Sequence, residues 1–201
     1  MKEIEAKFYV DDLAVVRDRL LAQHGRRLKP KLLERNRRFD SADGRLRSAR
    51  QVLRLRLDDQ ARLTFKRSLG TPEERLEIEF SVDDPEAAQA FLEALGFNAF
   101  ASYEKRREQF DLGEVHVALD ELPYGHFVEI EAPTLEDVRR VAGALGLDWE
   151  RRVQINYLAL FEELRRQFNL PFSDATFANF EALPSLRAEE IGLQDAIQAI
   201  D

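Results

Sequence analysis

Short runs of this chain carry charged residues at i and i+2, a spacing that places both charges on one face of a β-strand. In Glu3-Ile4-Glu5-Ala6-Lys7-Phe8, the residues Glu3, Glu5 and Lys7 share one side and Ile4, Ala6 and Phe8 share the other. Glu77/Glu79 and Glu129/Glu131 repeat the acidic pair, while Arg54/Arg56 and Lys105/Arg107 give basic versions. Clustered carboxylates hold hard divalent cations such as Mg²⁺ or Mn²⁺. Arg forks grip phosphate oxygens two at a time, and Lys supplies compact positive charge.

A half-exposed antiparallel sheet with its charges in water accounts for any one of these strands. Three features together favour an enclosed arrangement. The pairs recur on several strands, acidic and basic pairs sit on different strands, and apolar residues with amphipathic helices are present to cover the opposite face. Turned with its charges inward, such a sheet is tolerable only if the charges compensate or bind ions. Glu3, Glu5, Glu77, Glu79, Glu129 and Glu131 would then meet Lys7, Arg54, Arg56, Lys66, Lys105 and Arg107. That interior suits a polyanion arriving with divalent metal.

The elements that must position these residues are legible from periodicity. Strands are predicted over 1–10, 31–40, 51–57, 61–67, 75–82, 100–110, 115–119 and 127–132. Helices are predicted after the Asp11-Asp12 cap, after Asp83-Asp84-Pro85 as far as Gly96, over 135–145, over 152–168, and near 189–200. A Ser41-Ala42-Asp43-Gly44 turn joins the second and third strands. Runs of strands separated by few helices predict an α+β fold: an eight-stranded antiparallel β-barrel, or tunnel, with a charged interior flanked by helices. The two halves follow a similar order.

The 201 residues are enough for one sizeable core. A net charge of −8 argues against a generic nucleic-acid partner. The absence of cysteine excludes thiol catalysis, thiolate metal sites and disulfides. No apolar stretch suits a membrane span or a signal-peptide core, so a cytoplasmic location is the expectation. An outer-membrane barrel is set aside on the same ground, since these strands alternate with helices of soluble type.

The ordered set Glu3-x-Glu5-x-Lys7, Asn36-Arg37-Arg38-Phe39-Asp40, Leu53-Arg54-Leu55-Arg56, Lys66, Glu74–Glu79, Lys105-x-Arg107, Asp120, Gly125–Glu131 and Asn156-Tyr157-Leu158 resembles the CYTH superfamily, the triphosphate tunnel metalloenzymes. The resemblance spans residues 3 to about 161 and implies a tunnel domain over 1–168, followed by a C-terminal helical extension over 169–201. It departs from the family pattern at Tyr124-Gly125-His126, where Leu-Gly is common, and near the tyrosine helix, where Arg152 is the nearest basic residue.

The resemblance implies that Glu3, Glu5, Asp120, Glu129 and Glu131 bind Mg²⁺ or Mn²⁺ and carry catalysis. Lys7, Arg54, Arg56, Lys66, Lys105, Arg107 and Arg152 would hold the phosphates. Glu77 and Glu79 either orient these basic residues or assist water or a second metal. Tyr157 reads as a core residue, and His24, His116 and His126 receive no role. The implied activity is hydrolysis of a small triphosphate: tripolyphosphate first, with thiamine triphosphate or ATP as alternatives, in a monomer or homodimer. Two other readings remain: a class IV adenylate cyclase forming cyclic AMP, for which the sequence shows no adenine pocket, and a non-catalytic anion-binding module. Retention of every acidic pair argues against the last, because carboxylates weaken anion binding.

Overall fold

The computed structural model describes residues 2–71, 74–181, 183, 186 and 188–199, with side chains from residue 4 onward. Eight antiparallel strands close into a ring: β1 (Lys2–Val10), β2 (Arg26–Ser41), β3 (Gln51–Leu57), β4 (Ala61–Ser68), β5 (Glu74–Val82), β6 (Phe97–Leu112), β7 (Val115–Leu122) and β8 (Gly125–Ala132). The spatial order is β1-β5-β4-β3-β2-β6-β7-β8, returning to β1. Each half of the ring runs strand, helix, a 16-residue strand and two shorter strands.

Helices cover the outer face. They are α1 (Leu13–Ala22), the short α2 (Arg45–Ser48), α3 (Pro85–Ala94), α4 (Leu135–Ala144), α5 (Tyr157–Gln167) and the short α6 (Phe177–Glu181). Their starts follow capping chemistry, in which a side-chain oxygen takes an otherwise orphaned backbone N–H. Asp12 accepts from Ala14 N at 2.7 Å, Asp84 from Ala87 N at 2.9 Å, Thr134 from Asp137 N and Asn156 from Ala159 N, each at 3.1 Å. Leu13, Val16 and Leu20 of α1 and Val138, Val141 and Ala142 of α4 pack on Ile4, Ala6 and Phe8 of β1 and on the outward residues of β7 and β8. A second cluster joins Tyr9, Tyr103, Tyr124 and Phe127 to Leu160, Phe161 and Leu164 of α5.

The seam between β1 and β5 is short. Only Lys2↔Leu76, Glu3↔Arg75 and Ile4↔Glu74 pair there. Further along, the segment after α4 takes over the free edge of β1. Val153 N donates to Lys7 O at 2.7 Å, Arg152 bridges Phe8, and Ala196 N donates to Tyr9 O at 2.9 Å.

This edge pairing explains two departures from the predicted elements. Residues 152–156 are extended rather than helical, so α5 starts only at Tyr157. The predicted helix near 189–200 reduces to a 3₁₀ turn over Ala188–Ile191. Gly192 at φ +84° breaks it, and the amides of Ala196 and Gln198 go to Tyr9 O and Gly146 O instead. The predicted turn after Ser41 leads into α2, and β2 and β6 run longer at both ends than their sequence patterns. The tail from residue 169 packs Leu170, Ala175, Phe180, Leu186 and Ala188 into the second cluster. Among the described residues no helix is long and apolar enough to cross a membrane.

Gly125 opens β8 at φ +151°, where a Cβ would stand 2.8 Å from Cε2 of Tyr9. Gly125→Ala therefore combines an unfavourable backbone with a clash against a buried ring, and is expected to cost roughly 1–3 kcal/mol in chemical denaturation. A neutral effect would show that Tyr9 has room to move.

Candidate active site

A cavity of about 740 Å³ is lined by side chains of the ring. Strand alternation aims the expected charges into it. Glu5 and Lys7 of β1, Arg54 and Arg56 of β3, Lys66 of β4, Glu77 and Glu79 of β5, Lys105 and Arg107 of β6, and Glu129 and Glu131 of β8 all line it. Asp120 of β7 is fully buried beside its wall. Arg152 stands apart, in a small cleft shared with Glu5, Lys7 and Arg75, and its guanidinium lies 4.9 Å from the Trp149 ring centroid. The side chain of Glu3 lies outside the described residues.

Register places most opposite charges directly across from one another. Lys7 faces Glu129 with Nζ to Oε1 at 3.0 Å. Lys66 faces Glu77 at 2.7 Å. Arg107 faces Asp120 and donates to both of its oxygens at 2.6 Å, and also bonds Glu129. Lys105 faces Glu34 at 3.5 Å and reaches Asp120 at 3.0 Å. Glu79 receives Arg56 at 2.7 Å, with Arg54 at 3.8 Å, while Arg75 bonds Glu5 at 2.8 Å.

The electrostatics divide the carboxylates. Burial alone would raise Glu129, but Lys7, Arg107 and Lys105 outweigh it and hold the carboxyl well below its ordinary range. Glu34 is held low in the same way by Lys105, Arg107, Arg56 and Arg54. Glu131 goes the other way. Burial raises it, and the neighbouring charges of Glu77 and Glu5 add to the rise against the pull of Lys66.

Four participants escaped the sequence reading: Glu34, Arg38, Arg75 and Tyr103. Glu34 and Arg38 alternate inward on β2, a signal available once the face of that strand is known. Tyr157 is buried as expected of a core residue, yet it also lines the cavity. Its hydroxyl donates to Asp120 Oδ2 at 2.7 Å, and Lys7 Nζ sits 4.1 Å above its ring centroid. Burial, then Asp120 and Glu129, push the phenol well above its usual range, so it stays a donor. His116 lines the cavity with Nδ1 2.8 Å from Asp111.

Among the described residues no three carboxylates or imidazoles converge into a closed metal cage. The donor chemistry nevertheless fits a hard divalent ion at one place. Glu5 and Glu131 are direct cross-strand partners, and Glu77 acts on Glu131 electrostatically. Like charges set opposite each other are unfavourable, and although Arg75 bonds Glu5, the carboxyl of Glu131 stays raised. Asp120 differs, because Arg107, Lys105 and Tyr157 already occupy its oxygens.

A sequence model of the CYTH domain matches residues 1–143. No curated protein matches. Among solved structures, a Pyrococcus horikoshii protein is 27% identical over 77% of this chain and 96% of its own, with a TM-score of 0.68. A candidate adenylate cyclase from Vibrio parahaemolyticus is 20% identical over 80% of this chain and 97% of its own, with a TM-score of 0.72. A Hippeastrum candidate adenylyl cyclase, described as having a dominant triphosphatase activity, is 21% identical over 90% of this chain and 98% of its own, with a TM-score of 0.53. The last two likenesses concern the fold.

Two substitutions test the charge arrangement. Arg107→Met leaves Asp120 and Glu129 buried without their shared cation and is expected to cost ~3 kcal/mol in urea denaturation. Glu131→Gln is expected to stabilise the metal-free protein at neutral pH. A carboxyl raised in the folded state supports folding at low pH and loses that contribution as pH rises through its folded pKa. The amide removes that loss, so the melting temperatures of variant and wild type should converge in acid and separate on the alkaline side. Parallel curves would contradict the repulsion.

Proposed function

Because the chain belongs to the CYTH domain family, we propose that it is a divalent-metal-dependent triphosphatase acting on inorganic tripolyphosphate, held in a charged tunnel through the ring. The observation that carries this reading is the composition of one cavity. Lys7, Arg38, Arg54, Arg56, Lys66, Arg75, Lys105 and Arg107 line it against Glu5, Glu77, Glu79, Glu129 and Glu131, eight basic side chains to five acidic ones. A local positive excess in a chain of net charge −8 suits a compact polyanion.

In this mechanism Glu5 and Glu131, with Glu77 close by and Glu3 expected from the sequence, would hold Mg²⁺ or Mn²⁺. Such an ion supplies charge neutralisation at phosphate oxygens and a more acidic bound water. Lys7, Arg107, Lys105 and Arg56 grip the phosphoryl oxygens and stabilise the charge that gathers on the leaving group. Glu129, Glu34 and Glu79 keep those cations extended and in register before substrate arrives, so little reorganisation accompanies binding. Asp120, tied to Arg107, Lys105 and Tyr157, fixes the basic residues from behind and can turn toward a cation only by releasing one of them. Water adds to the terminal phosphorus, the bond to the bridging oxygen breaks, and phosphate and pyrophosphate are released. Tyr103, Phe110 and Tyr157 line the cavity as buried residues, while the His116 ring at its wall is exposed.

The test is a substrate panel with Mg²⁺ or Mn²⁺: tripolyphosphate, thiamine triphosphate and ATP. Phosphate release from tripolyphosphate is expected to dominate, and Glu5→Gln to lower it at least roughly tenfold. Hydrolysis that survives Glu5→Gln would sink the metal assignment. Cyclic AMP as the main product from ATP would replace the hydrolase reading with a cyclase, and tight binding without turnover would favour an anion-binding module.

A further inference from the structure

The chain has three histidines, and among the described residues His116 is the one that lines the cavity. His126 is engaged elsewhere, with Nδ1 2.9 Å from Asp11 O. Register puts His116 of β7 in a row that crosses four neighbouring strands. Asp111 of β6 is opposite His116, His116 is opposite Glu131 of β8, and Glu131 is opposite Glu5 of β1. Directly opposed side chains of an antiparallel pair share a face, with Cβ atoms roughly 5 Å apart. An imidazole therefore stands beside the two carboxylates already read as a cation site.

His116 also has the partner that a ligating histidine needs. Its Nδ1 is 2.8 Å from Oδ1 of Asp111, an oxygen that no other described group bonds. The second oxygen of Asp111 accepts from Arg26 at 2.7 Å, which steadies the carboxylate from behind. A carboxylate accepts and does not donate, so the proton of a neutral ring lies on Nδ1 and Nε2 presents a lone pair. Metal-bound histidines use their second nitrogen in this way, and the carboxylate sets both tautomer and ring orientation. Next in the row, Glu131 forms no ion pair with a basic side chain among the described residues, and His116 is one of the charges acting on it.

The donor set decides which ion fits. Carboxylates and water suit Mg²⁺, whereas an imidazole is a softer donor that favours first-row transition ions. The side chain of His116 is 58% exposed, so the row is open to ions from solvent.

We propose that His116, oriented by Asp111, is a ligand of the cation held by Glu131 and Glu5, and that its nitrogen makes the site select Mn²⁺ over Mg²⁺. Glu5 joins only at the expense of Arg75, which bonds it at 2.8 Å in the metal-free protein. The assignment rests on the reading of Glu5 and Glu131 as a cation site, and not on turnover of any triphosphate.

The experiment uses the ions alone, with no phosphate compound present. It combines calorimetric titration with Mn²⁺ and with Mg²⁺ and pulsed EPR of bound Mn²⁺, for wild type, His116→Gln and Asp111→Asn. Wild type is expected to bind Mn²⁺ at least ~tenfold more tightly than Mg²⁺, with the bound ion coupled to an imidazole nitrogen. His116→Gln is expected to lose that coupling and about tenfold in Mn²⁺ affinity, while Mg²⁺ affinity changes little. Asp111→Asn keeps the ligand without the carboxylate that orients it, and should fall between. A nitrogen signal that persists in His116→Gln, an equal loss for both ions, or wild type that binds neither ion overturns the proposal. Unchanged binding in both variants does so too, and leaves Asp111 and His116 as an exposed ion pair. Wild type that binds Mn²⁺ through a nitrogen yet hydrolyses no tripolyphosphate sinks the hydrolase reading and leaves His116 in place. Hydrolysis by wild type whose bound Mn²⁺ shows no nitrogen coupling does the reverse.

Discussion

Charge turned away from water must find a partner, and that requirement governs the cavity these strands line. The partners are supplied by strand register. Lys7 with Glu129, Lys66 with Glu77, Arg107 with Asp120 and Lys105 with Glu34 are each directly opposed across a strand pair. Because side chains alternate, a one-residue slip on any of these strands would send its charges outward and its Leu, Ile and Phe residues inward. Apolar packing on one face and ion pairing on the other therefore enforce the same register. Where that register opposes Glu5 to Glu131, Arg75 and Lys66 lie within ion-pair distance of Glu5.

Tyr157 and Asp120 connect the interior to the helical jacket. Tyr157 begins α5 behind the Asn156 cap, and its hydroxyl anchors the carboxylate that holds Arg107 and Lys105. The same helix buries Leu160, Phe161 and Leu164 against Tyr124 and the tail. The position of two basic side chains in the cavity is thus tied to aromatic packing on the far side of the sheet.

Much of this was legible in the sequence because alternation in a strand is a two-state code. Glu5, Lys7, Arg54, Arg56, Glu129 and Glu131 all sit where their apolar neighbours required. The code fails where several charged residues adjoin. In Asn36-Arg37-Arg38 both arginines are plausible inward residues, and only pairing with β3 and β6 sends Arg38 in and leaves Arg37 exposed. Glu34 was hidden for the same reason. The misplaced helices had another cause. Residues 152–156 and 192–198 carry acceptable helical patterns, but the open edge of β1 and the neighbouring Gly146 carbonyl claim their amides, a tertiary demand that no local window contains.

The pairing of the first strand with the last also bears on how the chain folds. β1 has only three pairs with β5, and its long partner is β8, with further support from Val153 and Ala196. All of these lie far along the polypeptide, so closing the ring carries a loop entropy that local contacts cannot offset early. Until β8 has formed, Ile4, Ala6 and Phe8 lack the sheet that buries them, and Glu5 stands alone in solvent. Closure is thus a non-local event, and Glu5 meets Glu131 only in chains that have completed it.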